Sequence, residues 1–344
     1  QEKETLQEYV LNDTPQTVEL YFNEITTIEF SNELKKGQIK IIKTDLDNNE
    51  IRLEGVKFNV YDNENNLVTT LITDENGEAI TDRLPINKTY TIKEIETNEI
   101  YILNENTVTV VLEENEIKTL TFENEKKKGQ IEIVKIDSEN KKVYIPDVTF
   151  EVYNSEQKLV DRITTDKNGK AITKRLPIDD EYTIKETISN KAYVLTEKTQ
   201  TVVLEENEIK SITFENTKKY GQLKINKLSS NYSKILDLPA NSPLANTKFL
   251  VVNESGEAMG IYTTDETGSV LTTKLPYGKY TVYEYETPEH FLKDAKPQTI
   301  SITEDNQILE IIAKESKNKQ LKFKGLWKHL LLQDLSSPDS FFSL

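Results

Sequence analysis

Along most of the chain, apolar and polar residues alternate at every second position. Ile39 and Ile41 lead to Lys43; Val56, Phe58 and Val60 form a second run; Tyr90, Ile92 and Glu94 a third; Leu120, Phe122 and Asn124 a fourth. A period of two sends successive side chains to opposite faces of an extended strand, so each run predicts a strand with one buried face. Val, Ile, Thr and Tyr dominate the runs, and turn-forming clusters such as Asp62-Asn63-Glu64-Asn65-Asn66 and Asp74-Glu75-Asn76-Gly77 separate them.

The pattern repeats. Lys-Gly-Gln-Ile at Lys36 to Ile39 returns at Lys128 to Ile131, and as Tyr-Gly-Gln-Leu at Tyr220 to Leu223, so Gly37, Gly129 and Gly221 stand 92 residues apart. Val110 to Lys118 and Val202 to Lys210 are identical, and the ending Phe-x-Asn recurs at Asn32, Asn124 and Asn216. The expected organisation is a C-terminal part of one copy in residues 1–36, whole copies in 37–128 and 129–220, a divergent copy in 221–316, and a non-repeat tail in 317–344. The third copy carries an insertion of about seven residues around Asn231 to Pro243. A chain opening in mid-copy reads as a piece of a longer array. About seven short strands per copy suit a β-sandwich, giving an all-β chain of tandem Ig-like sandwiches in a rod-like array.

Composition narrows the chemistry. The 344 residues carry a formal charge of −16, which disfavours nucleic acid as a partner. There is no Cys and only two His, His290 and His329, which removes disulfides, thiolate nucleophiles and Cys/His zinc sites. No run of eighteen apolar residues occurs.

The same alternation places polar residues in register with the core. The face showing Ile39 and Ile41 ends in Lys43, and its counterparts end in Lys135 and Lys227. A later strand carries Glu94, Glu186 and Glu284 on its apolar face, and the last strand carries Asn32, Asn124 and Asn216. A buried ammonium or carboxylate costs several kcal/mol and shifts toward its neutral form. A neutral lysine is a nucleophile, a protonated glutamic acid can polarise an amide carbonyl, and the asparagine amide is an electrophile. The product is a Lys–Asn isopeptide bond, with ammonia lost.

These residues resemble the collagen-adhesin B-type, or SpaA-type pilin, domains of Gram-positive surface proteins. The matching motifs are Lys-x-Asp (Lys43-Thr44-Asp45, Lys135-Ile136-Asp137), Thr-Asp-x-x-Gly followed by Leu84-Pro85, Tyr-Thr-Ile-Lys-Glu, and the terminal Phe-x-Asn. The resemblance implies prealbumin-like sandwiches with self-formed bonds Lys43–Asn124 and Lys135–Asn216, with Glu94 and Glu186 handling protons. The third copy departs from the motif: Leu228-Ser229 follows Lys227, and Glu315 falls at the place of Asn216, so Lys227 and Glu284 lack an asparagine acceptor. For Asn32 the candidate carboxyl is Glu4, and its lysine would lie before Gln1, which leaves Asn32 unpaired within the given residues.

Other features read as structural. Asp74, Asn76, Asp166 and Asn168 suit tight turns rather than calcium, and no metal or other cofactor is expected. The pairs at Leu84, Leu176 and Leu275 precede each Tyr strand and are not sorting signals; His290 is expected in a surface loop. The tail places Lys317, Lys319, Lys322, Lys324 and Lys328 among Leu321, Phe323, Leu326, Trp327, Leu330 and Leu331. An amphipathic membrane-touching helix is one reading of it, an unstructured extension the preferred one. The whole reads as a stapled stalk of an extracellular, cell-wall-associated adhesin or pilus-like protein, not a turnover enzyme, with other surface subunits as partners. The alternative is a domain binding a host extracellular-matrix protein such as collagen, which would show as exposed aromatics concentrated on one domain.

Overall fold

The structure is a computed structural model that describes residues 1–234, 236–294 and 296–314. Its contacts divide into two units, one of residues 1–190 with 195–216, the other of 191–194 with the chain from 217.

The first unit holds two sandwiches of the same design. In the first, β1 (Lys36–Asp45), β2 (Lys57–Tyr61), β3 (Leu67–Ile72), β4 (Glu78–Ile80), β5 (Leu84–Pro85), β6 (Thr89–Glu96), β7 (Thr107–Val111) and β8 (Ile117–Asn124) form two four-stranded sheets. One is antiparallel, in the order β3-β2-β6-β7; in the other, β1 pairs antiparallel with β4 and β5 and in parallel with β8. The first and last strands of the domain are therefore direct neighbours, with Lys43 opposite Phe122 and Asp45 opposite Asn124. The eighth strand, beyond the seven expected, is Leu84–Pro85, whose ladder pairing is with Lys36 and Gly37 at an edge position that tolerates a proline. Its Leu-Pro pair has a second use, because the Tyr90 hydroxyl donates to the Pro85 carbonyl at 2.8 Å and pins the start of β6.

The second sandwich repeats this with β9 (Lys128–Asp137), β10 (Thr149–Tyr153), β11 (Leu159–Thr164), β12 (Lys170–Ile172), β13 (Leu176–Pro177), β14 (Glu181–Ile188), β15 (Thr199–Val203) and β16 (Ile209–Asn216). Strand β16 pairs β9 in parallel, with Phe214 opposite Lys135 and Asn216 opposite Asp137. The second unit contains β17 (Tyr220–Leu228), β18 (Lys248–Asn253), β19 (Ala258–Thr263), β20 (Ser269–Leu271), β21 (Leu275–Pro276), β22 (Gly278–Glu286), β23 (Gln298–Ile302) and β24 (Gln307–Lys314) in the same two-sheet topology, with Lys227 opposite Ala313. Its inserted loop is closed by bridges between Leu228 and Pro243 and between Ser233 and Leu238.

The cores follow the alternation. Ile39, Ile41, Val56, Phe58, Val60, Tyr90, Ile92 and Phe122 are buried between the sheets of the first domain, and the Phe58 and Phe122 rings meet at 4.9 Å between centroids, tilted. Each domain also buries an equivalent pair of threonines that the period-two reading did not single out, Thr73 and Thr81 in the first. Thr81 Oγ1 accepts the Ile39 N–H at 3.0 Å, while Thr73 Oγ1 accepts the Val56 N–H at 3.0 Å and donates to the Leu53 carbonyl at 2.6 Å. These hydroxyls satisfy backbone groups where strands separate, and Thr165 and Thr264 make the equivalent bonds.

One expectation fails. The run Ile28, Phe30, Asn32 forms no strand; residues 1–35 hold a single bridge, Tyr9 to Leu34, and leave Leu20, Phe22 and Ile25 exposed. Strands β8 and β16 exist because each has a first strand to pair with, and residues 1–35 contain no counterpart of that strand.

The turn before β12 requires glycine. Gly169 sits at φ +67°, and a Cβ there would lie 2.7 Å from the Lys135 carbonyl oxygen and 2.9 Å from the Ile145 nitrogen. Gly169→Ala is expected to destabilise the second domain by roughly 2 kcal/mol through a left-handed backbone and the clash together. Calorimetry on the full chain tests it, and an unchanged melting profile would contradict this account.

Candidate functional site: a buried lysine, glutamate and asparagine

Each complete sandwich carries, near the end of its first strand, a lysine whose side chain continues the core face. Lys43, Lys135 and Lys227 are fully shielded from solvent. Glu94, Glu186 and Glu284 reach the same interior from the facing sheet, where Glu94 lies opposite Phe58, Glu186 opposite Phe150 and Glu284 opposite Phe249. Asn124 and Asn216 arrive from the last strand, beside the lysine strand.

In the second domain the trio is fully connected. Lys135 Nζ donates to Glu186 Oε2 at 2.7 Å and to Asn216 Oδ1 at 2.6 Å; Asn216 Nδ2 donates to Glu186 Oε1 at 2.5 Å and to Ser189 Oγ at 2.9 Å. The ammonium lies 5.8 Å from the ring centroids of both Phe150 and Phe214. In the first domain Asn124 Nδ2 makes the same pair of bonds, to Glu94 Oε1 at 2.5 Å and Thr97 Oγ1 at 2.9 Å. There Lys43 Nζ stands 3.4 Å from Glu94 Oε2, and Lys43 Nζ, Glu94 Oε2 and Asn124 Oδ1 have no hydrogen-bond partner.

Burial dominates the lysine electrostatics. It pushes Lys43 down from the ordinary 10.5 to about 8 against the opposing pull of Glu94, and it lowers Lys135 in the same way against Glu186. The free amine is thus far more accessible at neutral pH than on a surface lysine. An asparagine carbon presented to that amine, its leaving nitrogen held by a carboxyl group, is the geometry of amide exchange.

The third site shares only part of this. Lys227 Nζ donates to Glu284 Oε2 at 2.8 Å, and the same oxygen accepts the Asp294 N–H at 3.1 Å; Glu284 Oε1 has no partner. The acceptor position, Glu315, and the basic tail lie outside the described residues.

Several contributors escaped the sequence reading. Thr97 and Ser189 hold the second N–H of the asparagine amide; each lies three residues after its glutamate, a spacing that could have flagged them. Asn32 donates to Glu2 Oε1 at 2.8 Å and Thr5 Oγ1 at 2.6 Å, which replaces Glu4 as its carboxyl partner. The 92-residue spacing carries Glu94 back to Glu2 and Thr97 to Thr5, so strict register rather than the nearest acidic residue gives the answer. The aspartate of Lys-x-Asp proves to be a brace. Asp45 Oδ1 accepts the N–H groups of Asp47 and Asn48 at 2.7 and 2.9 Å, and Oδ2 accepts the Tyr101 hydroxyl at 2.7 Å. In the third domain these two positions are Ser229 and Phe291, and Ser229 instead donates to the Pro239 carbonyl of the inserted loop.

The aspartates read as turn residues do hold their turns, since Asp74 Oδ1 accepts the Asn76 and Glu78 N–H groups, both at 2.9 Å, and Asp166 does likewise. His290 is exposed in a loop.

Comparison with known proteins matches this architecture. The SpaA family, a prealbumin-like fold domain, matches residues 37–126, 129–218 and 221–317, and the chain belongs to this family. Among solved structures, the Bacillus anthracis TIE protein shares 32% identity at a TM-score of 0.62 over 83% of this chain and 51% of that one, so the chain spans about half the length of that relative. A Streptococcal ancillary pilin is similar at 17% identity and a TM-score of 0.30, over 82% of this chain and all of that one. BcpA, the major pilin subunit of Bacillus cereus, is similar at 16% identity and 0.32, over 83% and 100%. Comparison with curated proteins gives no match.

The lowered Lys43 value fixes a pH dependence for an Asn124→Ala variant, in which the amine has no acceptor. Between the folded value of about 8 and the ordinary 10.5, the unfolded chain binds the extra proton. The penalty of burying the ammonium is therefore complete below pH 8 and is relieved as pH rises. Stability of the first domain should increase between about pH 7 and 9.5, by about 2 kcal/mol. Urea denaturation at the two pH values measures it; a flat or falling stability would contradict the buried-amine reading.

Proposed function

We propose that the chain is a stalk segment of a Gram-positive cell-surface adhesin or pilus-like protein, in which the first two domains staple themselves through Lys43–Asn124 and Lys135–Asn216 isopeptide bonds. The observation that carries this reading is the buried, hydrogen-bonded trio of Lys135, Glu186 and Asn216. Neutral Lys Nζ attacks Asn Cγ; the Nζ–Cγ bond forms, the Cγ–Nδ2 bond breaks, and the amine's proton passes through the glutamate to the departing nitrogen, which leaves as ammonia. Nothing is oxidised or reduced, and each site reacts once on its own chain, so this is not a turnover enzyme.

Mechanics support the stalk role. Because β1 and β8 are parallel, tension between a domain's ends shears their ladder. A bond near the C-terminal ends of both strands passes the load from β1 directly to the end of β8 and spares the residues between. Family membership supports a place outside the cell, at the wall, among other surface subunits.

Intact mass should fall short of the sequence value by two ammonia molecules, with one regained in Glu94→Ala and one in Glu186→Ala. A wild-type mass equal to the unmodified sum overturns the proposal. Lys135 and Asn216 lie 81 positions apart. By analogy with disulfide loop closure, the bond should stabilise the second domain by about 4–5 kcal/mol, so Asn216→Ala should melt far below wild type.

The third domain is proposed to lack a staple, because Glu315 replaces the amide acceptor and a carboxylate is a poor acyl acceptor for an amine at neutral pH. Peptide mapping should find Lys227 unmodified and the third domain first to unfold on heating. A cross-linked peptide joining Lys227 to any residue between Ile308 and Asn318 would reverse this.

A further inference from the structure

The strand that carries each buried glutamate is irregular just beyond it. In β6 the pairing with β2 steps from Glu94 opposite Phe58 to Glu96 opposite Lys57, so β6 holds one extra residue at this point. Strand β14 repeats the bulge against β10, with Glu186 opposite Phe150 and Ile188 opposite Thr149. Plain alternation from an inward Glu94 would turn Glu96 to the core and Thr97 to solvent. The bulge reverses this. Glu96 is exposed and accepts Lys57 Nζ at 2.6 Å, Ile188 is 60% exposed, and the hydroxyls of Thr97 and Ser189 turn inward onto Asn124 and Asn216.

The atom they reach is the one that must leave. Asn216 Nδ2 gives one N–H to Glu186 Oε1 and the other to Ser189 Oγ at 2.9 Å, while Oδ1 accepts Lys135 Nζ. Asn124 Nδ2 is held in the same way by Glu94 and Thr97. With both N–H groups engaged, the amide cannot turn about its Cβ–Cγ bond without losing a hydrogen bond, and Cγ stays presented to the amine. Lysine, glutamate and asparagine are buried, whereas Thr97 and Ser189 are half-buried. Of the two groups that hold the departing nitrogen, the hydroxyl is therefore the one that borders water.

We propose that Thr97 and Ser189 complete the two bond-forming sites: each hydroxyl, aimed by the bulge, positions the leaving nitrogen and passes it to solvent as ammonia. The inference rests on the isopeptide reading above. As the Nζ–Cγ bond forms and the Cγ–Nδ2 bond breaks, the amine's proton reaches Nδ2 through the glutamate. The ammonia so formed keeps its N–H···Oγ contact as it moves outward, and the hydroxyl itself gains and loses no proton.

The test follows the full chain with time after in vitro synthesis, by intact mass and by peptide mapping that scores the two bonds separately. Thr97→Val should slow the Lys43–Asn124 bond roughly tenfold and leave Lys135–Asn216 at the wild-type rate; Ser189→Ala should do the reverse. Each slowed bond should still go to completion, as it cannot in a misfolded domain. Thr97→Ser and Ser189→Thr keep the hydroxyl and should react at close to the wild-type rates. The pH at which each rate is half-maximal should not move, because the lost contact is to the leaving nitrogen and not to the amine. Wild-type rates in Thr97→Val and Ser189→Ala overturn the inference while leaving the stapled-stalk reading intact. So does a bond that stops short of completion, equal slowing in the hydroxyl-keeping variants, or a shifted pH midpoint, which means that water has entered around the lysine. A wild-type chain that never loses ammonia removes both readings.

Discussion

The structure depends on a primary amine held wholly out of water at the end of each first strand. An ammonium in that position costs several kcal/mol unless it is paired, and a neutral amine costs far less. Everything around it answers that constraint: a carboxyl group from the facing sheet, an amide from the neighbouring strand, and phenylalanine rings that exclude solvent. The two complete sites show two arrangements of the same groups. Lys135 bonds both partners, whereas Lys43 stands off at 3.4 Å with three polar atoms unpartnered. A buried network left partly unsatisfied costs free energy that the fully connected trio of the second domain does not.

The parallel pairing of first and last strands makes that site possible. It brings residues 81 positions apart to adjacent strands and sets the lysine and the asparagine two positions apart in the ladder. The brace around it is equally specific, since Asp45 organises the chain after β1 while anchoring Tyr101.

The third domain shows the same fold around an incomplete site. Its core, topology and Lys227–Glu284 pair are kept, yet Ser229 and Phe291 stand where the brace would be, and the inserted loop is tied to Ser229 instead. Lys93 and Ile95 on the outer face of β6 also give way to Tyr283 and Tyr285 on β22, both exposed. The candidate site and the sandwich packing are thus separable: the alternating apolar faces specify the fold, and a handful of inward polar residues make up the site.

The sequence by itself determined the repeat, the strands and the inward facing of Lys43, Glu94 and Asn124, because a two-residue period fixes which side of a sheet a residue occupies. It also carried the exact 92-residue spacing that places Glu2 with Asn32, although proximity pointed to Glu4. Only the tertiary structure decided the rest. The hydroxyls of Thr97 and Ser189 are common strand-end residues until the asparagine amide is seen against them. The run Ile28, Phe30, Asn32 has the alternation of a strand but no ladder, because backbone N–H and C=O groups need a partner strand that no local pattern supplies. The fall of Lys43 to about 8 is likewise a property of the space between two sheets, since desolvation depends on what packs around the amine and not on the residues beside it in the chain.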